Sequence, residues 1–583
     1  MIKIFKYLKW NEWILLILAI GVVGLQVWCN TSLPQSTLAI SNYFQSENLS
    51  ENWEGMIYSC LEMLGYTAGV VLSAIVASFL ASYVVTRLLA RVRGKIFQKV
   101  NSFSAKEINK FSIPSLITRS TNDITQLQHV LTTTITLGFN APLTAILAII
   151  NIIKLSSENN AGSLSWVNIV SVLAISILVV LIMITVVPKF KKIQQTTDQL
   201  NKVTRENLTG LKVVRAYSAE KSQEQKFDAV NNRFAKIDLF IGKIMSLIEP
   251  SLTLIMQGTS LAIVWIIGFL AKTNPSTISL MGAFTQYSTF IIMSFTSLSM
   301  LFMFVPRGII SGKRINEILS TPLSLVDGPG VKEYQKGTIE FKNVHFRYPD
   351  ADADVLENVS FCANKGETVA FIGSTGSGKS TLINLIPRFY DCTSGQILIG
   401  GHDIKEYTQQ QLHEMIGYVP QKGVLFSGSI AENIKYGKED ATDKEIEKAI
   451  DISNSNFVYD FSDQLEHHIS QGGKNVSGGQ KQRLSIARAI IKNPEILIFD
   501  DSFSALDYKT DKSVRENLNK EYKEATKIIV AQRIGTIMNA DKIIVLNEGV
   551  VVGAGKHKEL LESCEVYREI ALSQLSKEEL ENE

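Results

Sequence analysis

The chain has 583 residues, too many for one ordinary hydrophobic core, and 46% of them are hydrophobic, which is high for a soluble enzyme. A formal net charge of only +2 provides no bulk field for nucleic acid, so no nucleic-acid partner is expected. The cysteines (Cys29, Cys60, Cys362, Cys392, Cys564) form no Cys-x-x-Cys pair and the histidines are scattered, which argues against a disulfide frame or a zinc site.

Basic Lys3, Lys6 and Lys9 precede an apolar block at residues 13–28 that lacks a small-residue cleavage site near its end, so an uncleaved membrane helix is expected there. Further blocks follow at 67–85, 135–153, 166–187, 250–270 and 290–305. Most approach the length of about 20 residues that crosses a bilayer. A buried helical core is the alternative, but the second half is too short to wrap six such helices. The segment between the first two blocks, 30–55, has no Lys or Arg, whereas Arg87, Arg91, Arg93, Lys95 and Lys99 follow the second and Lys189, Lys191 and Lys192 the fourth. This positive-inside pattern places both termini of a multi-pass chain in the cytoplasm; a bacterial inner or plasma membrane is the expected location. Asn48 opens an Asn-Leu-Ser acceptor pattern, to which no role is assigned.

The cytoplasmic stretches 87–130 and 188–249 keep helical periodicity, so the spans are expected to run well past the bilayer. Pro114 and Gly210 interrupt them within 110–128 and 206–221, candidates for short transverse helices that dock on a soluble domain or for a solvated helical hairpin, of which the resemblance given below implies docking. Glu249, at the inner edge of the fifth span, should face protein or a water-filled cavity, as a cation-attracting group or as an interfacial anchor. Met293, Phe295, Met300, Phe302, Met303 and Phe304 make the sixth span rich in soft apolar groups, which suit a greasy cavity and ordinary helix packing equally.

Residues 1–321 therefore read as a six-helix membrane domain, 322–337 as a Pro- and Gly-rich linker, and 338–583 as a soluble α/β domain with a helical tail. FIGSTGSGKST (371–381) follows the apolar strand ETVAFI and precedes a helical pattern, which is the setting a phosphate-binding loop needs. Gly373, Ser374, Thr375, Gly376, Ser377, Gly378, Lys379, Ser380 and Thr381 supply backbone N–H groups and side chains for the phosphates of ATP. Lys379 reaches the β/γ-phosphates and Ser380 ligates Mg²⁺. EILIFD (495–500) ends a buried strand at Asp500, placed to hold the same Mg²⁺. Ser477, Gly478, Gly479 and Gln480 open a helix whose N-terminus suits phosphate, far from the loop in sequence.

With SGGQ between the two nucleotide motifs, the chain resembles an ATP-binding cassette exporter half-transporter along nearly all its length. The resemblance implies a multidomain fold: a six-helix exporter-type transmembrane domain with long cytoplasmic helical extensions, fused to a P-loop ATP-binding cassette domain. It also implies that Tyr348 stacks on adenine, that Gln421 senses Mg²⁺ and contacts the membrane-domain helices, and that residues 504–507 cross between cassettes paired head-to-tail. The implied activity is an ATPase translocase.

Three positions depart from the pattern. Asp501 stands where a catalytic Glu is expected, Gln532 replaces a His at the γ-phosphate switch, and Gln471 replaces a Glu in the cross-talk segment. Losing one methylene retracts the Asp501 carboxylate by about 1 Å, a misplacement worth on the order of 100-fold in rate. Gln532 cannot become cationic but still donates a hydrogen bond. With the signature intact, the expectation is the degenerate-site subunit of a heterodimeric bacterial multidrug exporter. Its own site would bind ATP but hydrolyse it poorly, and a second half-transporter would supply the complementary membrane and nucleotide-binding domains. The expected partners are that chain, the lipid bilayer and a hydrophobic or amphiphilic substrate. Lipid, lipopeptide or peptide export is the alternative, and an ATP-binding membrane sensor or regulator is an alternative of another class.

Overall fold

The computed structural model describes residues 2–44, 53–159, 162–272, 274–349 and 351–574, and Asn48 lies outside them. The side chains of Lys191, Phe302 and Met303 also lie outside the description. Two compact units emerge: Met1–Asn101 with Pro114–Thr321, and Ser102–Ile113 with Pro322–Glu583.

The first unit is helical. Six of its helices are long and apolar enough, among the described residues, to cross a membrane: α1 (Trp10–Phe44), α2 (Trp53–Asn101) and four others. Between them and the next span lie the short α3 (Ala105–Phe111) and α4 (Ile113–Ser120). The chain continues through α5 (Asn122–Glu158), α6 (Gly162–Thr209), the short α7 (Leu211–Ala216), α8 (Glu220–Leu270) and α9 (Leu280–Ser320). At 1.5 Å per residue the 48 residues of α6 extend about 70 Å, more than twice the hydrocarbon thickness, so the expected cytoplasmic extensions are present. Hydroxyls support α1 past its apolar block: Thr31 Oγ1 donates to Val27 O (2.9 Å) and Ser32 Oγ to Trp28 O (2.9 Å).

Polar groups link the spans. Tyr287 OH donates to Thr31 O (3.0 Å), Ser288 Oγ to Asn168 Oδ1 (2.5 Å), and Ser171 pairs with Thr259 (2.6 Å). Arg91 grips Glu12 with both terminal nitrogens, one at 2.8 Å, and its Nε donates to Tyr7 O (3.2 Å). Helices α6 and α8 differ from the rest: 17% of each apolar window is buried, against 25–33% for the other spans, so both present their flanks outward.

The transverse helices lie partly elsewhere than expected. The first, α3, starts at Ala105, before the 110–128 segment, and it groups with the second unit. Ser104 caps it in a reciprocal box with Glu107, and Ser112, at φ 63°, ends it. Pro114 lies in the first turn of α4, where its missing N–H is harmless. Gly210 does precede a short helix, α7. Glu107 Oε1 accepts from Ser324 N (3.0 Å) and Asn109 Nδ2 donates to Tyr390 OH (3.3 Å), both within the second unit. Burial opposes ionisation of Glu107, but hydrogen bonds from Ser104 and Ser324 outweigh it and hold the carboxyl below its ordinary range.

The second unit is built on two sheets. Strands β1 (Ile339–Phe346) and β2 (Leu356–Ala363) form an antiparallel sheet with β4 (Ser394–Ile399) and β5 (His402–Asp403). The larger sheet has the order β12-β11-β3-β10-β9-β6, from β3 (Thr368–Gly373), β6 (Ile416–Val419), β9 (Ile496–Asp500), β10 (Thr526–Val530), β11 (Lys542–Asn547) and β12 (Val550–Gly555). All its pairings are parallel except that of β12. Short β7 (Gly428–Ser429) and β8 (His468–Ile469) pair separately. Because β9 and β10 are buried along their whole length, their sequences ILIFD and TKIIV run apolar rather than alternating. The helices are α10 (Lys379–Leu385), α11 (Gln409–Met415), α12 (Ile430–Lys435), α13 (Asp443–Ile452), α14 (Gly478–Ile490), α15 (Tyr508–Glu521), α16 (Ile534–Ile537), α17 (His557–Ser563) and α18 (Glu565–Leu572).

Candidate active site

Strand register assembles the site. Val530 pairs with both Phe371 and Asp500, and Phe499 with Val419, so β3, β10, β9 and β6 end at nearly one level. The segments leaving these ends carry the phosphate-binding loop, Gln532, Asp500–Asp501 and Gln421 respectively. Ligands of open parallel sheets sit at this carboxyl edge.

The loop requires its glycines. A Cβ on Gly373 would lie 2.0 Å from Leu546 O, and one on Gly378, which precedes α10 at φ 95°, would lie 2.8 Å from Leu356 Cδ2. Gly376 opens to free space. Lys379 Nζ donates to Gly373 O (2.9 Å), Ser374 O (2.7 Å) and Ser377 Oγ (3.3 Å), which holds the ammonium inside the loop. Burial lowers the Lys379 pKa, opposed by the charges of Asp501 and Asp500. Thr375 is exposed at the loop tip. Ser380 Oγ donates to Asp500 Oδ1 (2.9 Å), so two hard oxygen groups converge and the pair fits Mg²⁺. Burial raises the Asp500 pKa, partly offset by the Ser380 hydrogen bond.

Asp501 is buried beside it, with φ 47°, and its N–H donates to Val530 O (3.0 Å). Two amides meet one of its oxygens: Gln532 Nε2 at 2.8 Å and Gln421 Nε2 at 3.3 Å from Oδ2. The two substituted positions thus form one hydrogen-bonded unit, and Gln421 belongs to it. Tyr348 OH bonds Thr381 Oγ1 (3.1 Å), and its ring packs edge-on against Phe346 and Tyr390 at 4.9 and 5.4 Å between centroids.

The signature stands apart. Ser477 and Gln480 close a capping box on each other at the start of α14, leaving Gly478 open. Asp507 caps α15 through Thr510 N (3.0 Å), and Gln471 is exposed. Glu249 is exposed on α8 in the first unit. Sequence reasoning missed Gln574, whose amide bonds the segment carrying Gln532, and no motif marks it.

Known proteins share both parts. The profile of the ABC transporter transmembrane region matches residues 14–295, and that of the ABC transporter matches 356–504. An uncharacterized ABC transporter ATP-binding protein of Mycobacterium tuberculosis is 37% identical over 88% of each chain. One of Bacillus subtilis is 34% identical over 90% of each, and a putative multidrug export ATP-binding/permease protein of Staphylococcus aureus is 30% identical over 85% of each. The solved structure of a bacterial Atm1-family ABC exporter with ATP bound shares the fold, with a TM-score of 0.79 at 24% identity, covering 97% of this chain and 99% of that one.

These matches correct two expectations. The fold match is to an Atm1-family exporter with both parts in one chain, not to the degenerate-site subunit of a heterodimer. The same match overturns the expectation, drawn from Asp501 and Gln532, of a distinct second half-transporter. The physical reason is local: the two side chains bond to each other, so their joint substitution describes one site and carries no information about a different opposing chain. Taken with the six spans, the cytoplasmic nucleotide-binding domain and relatives matched over most of their length, the chain belongs to the ABC transporter family as a multi-pass membrane ATPase that couples ATP to transport.

Proposed function

We propose that the chain exports amphiphilic molecules, lipid-, lipopeptide- or peptide-like in chemistry, paired with a second copy of itself. One observation carries the substrate class. Ser246, Glu249, Thr253 and Gln257 are all exposed on α8 at spacings of three, four and four residues, a polar stripe entering the fifth span. Such groups are costly against lipid tails and belong beside a watery path or a polar ligand. Met293, Met300 and Phe304 are exposed on α9 and offer soft apolar surface. A substrate with an apolar body and a hydrogen-bonding or cationic head satisfies both. The second reading, multidrug export, takes its support from the printed name of the Staphylococcus aureus relatives.

The pairing is supported by the place of Ser477–Gln480 at the start of α14, far in sequence from the phosphate-binding loop, and by the outward flanks of α6 and α8. In each site the loop and Lys379 bind the phosphates, and Tyr348 supports the base. Ser380 and Asp500 would hold Mg²⁺, which supplies charge neutralisation on the phosphates when bound. Asp501 orients the attacking water, and the Gln532 amide keeps that carboxylate in place and donates toward the γ-phosphate.

Proteoliposomes containing this chain alone test the reading. ATP-dependent movement of a labelled phospholipid, lipopeptide or peptide is expected, with substrate-stimulated ATPase reduced several-fold by Glu249→Gln or Gln257→Leu. Net flux of drug-like cations only would favour the second reading. Absence of any flux would identify a sensor, and ATPase that needs a different chain would overturn the pairing.

A further inference from the structure

The turn that carries Gln532 is held from the far end of the chain. Strand β10 stops at Val530, and Ala531 N–H makes a last sheet contact with Phe371 O (3.2 Å). Beyond it, Gln574 Nε2 donates to Gln532 O (2.7 Å) while Gln574 Oε1 accepts from Ile534 N–H (2.9 Å). A single planar amide therefore bridges both sides of the turn, which needs a donor and an acceptor in one side chain. Gln574 follows α18, which is anchored by the buried Ala571 and by Tyr567, whose OH bonds His557 Nδ1 (2.7 Å). Helix α18 packs against β3 and β11 of the main sheet, so the position of the amide is referred to the strand that bears the phosphate-binding loop.

We propose that Gln574 is a positioning residue for ATP hydrolysis. It holds residues 532–534 so that Gln532 Nε2 stays on Asp501 Oδ2 and faces the γ-phosphate. The inference rests on the role given to Gln532 above. A plainer role competes with it: Ile534 N–H, at the start of α16, receives no cap from the Arg533 side chain, and Gln574 Oε1 would cap it for stability alone.

Two substitutions separate these roles. Gln574→Glu keeps an acceptor for Ile534 N–H but presents oxygen to Gln532 O, whereas Gln574→Ala removes both bonds. Steady-state ATPase of the full chain in lipid nanodiscs, with the thermal midpoint of each variant, reads the outcome. The expected result is a fall in kcat of about 3- to 10-fold in both variants, the size of one or two neutral hydrogen bonds. KM for ATP should stay within about 2-fold, and Gln574→Glu should keep the thermal midpoint. In a Gln532→Ala background neither change should lower kcat further, because the clamp then has nothing to position. An unchanged kcat in the Gln574 variants beside a reduced one in Gln532→Ala would overturn the clamp alone. So would an equal factor lost in the two backgrounds. An unchanged kcat in Gln532→Ala itself would overturn both the clamp and the role of Gln532.

Discussion

Gln532 and Asp501 share a 2.8 Å hydrogen bond across the ends of adjacent strands, amide Nε2 to carboxylate Oδ2. With the longer bond from Gln421 Nε2 (3.3 Å), it fixes the orientation of a short carboxylate. Gln532→Ala should lower kcat about 10- to 100-fold, since a hydrogen bond to a charged group contributes about 1.5–3 kcal/mol. Nucleotide affinity, read by fluorescent ATP titration, should change little.

Asp501→Asn should reduce turnover on the order of 100-fold or more, because the amide cannot take the proton of the attacking water. Asp501→Glu should raise kcat, since the longer side chain advances the carboxylate by about 1 Å toward bound phosphate. Measured phosphate release at saturating ATP checks both, and a faster Asn variant would remove Asp501 from the chemistry.

Asp500 carries a pH dependence. Burial raises its pKa in the folded chain, so the proton is held more tightly there than in the unfolded chain. Its favourable contribution is complete below the ordinary carboxylate range and is lost as pH rises through the raised value. Asp500→Asn should therefore raise the nucleotide-free thermal midpoint of this domain at pH 7 and flatten its dependence on pH. The same variant should lose Mg²⁺-dependent ATP binding, and calorimetry with and without Mg²⁺ reads both effects.

The Glu12–Arg91 pair joins the start of α1 to α2, with Glu12 only 5% exposed. Removing one partner strands the other: Arg91→Ala should destabilise by about 3 kcal/mol, somewhat less if water reaches the partly exposed arginine side. Glu12→Gln combined with Arg91→Met should recover most of that loss. Thermal unfolding of the full chain in detergent, followed at a reporter in the membrane domain, makes the comparison.

Much of the site was legible in the sequence because its parts are local. The loop 373–381 lies between one strand and one helix, and Asp500 closes a short apolar run of the kind a strand buried on both faces carries. The segment 110–128 does hold a short helix, α4, but α3 precedes it, and Pro114 marks only the first turn of α4. The better signal was Ser104-Ala-Lys-Glu107, a capping box that starts a helix at Ala105. Gln574 was invisible for a different reason: its two partners lie 40 and 42 residues away, and nothing local distinguishes it from other exposed glutamines. The inference of an unlike partner failed because substitutions in one site are silent about who supplies the opposite face.

The grouping of residues 102–113 with 322–583 has a mechanical consequence. The backbone passes between the two units at three places: after Asn101, after Ile113 and after Thr321. Cutting the peptide chain near Pro322 therefore does not set the nucleotide-binding unit loose. A protease nick there would leave its α3 strap in place, gripped through Glu107, Ser324, Asn109 and Tyr390. The boundary that looks like a simple joint along the sequence is a splice, in which one unit has lent about two turns of helix to the other.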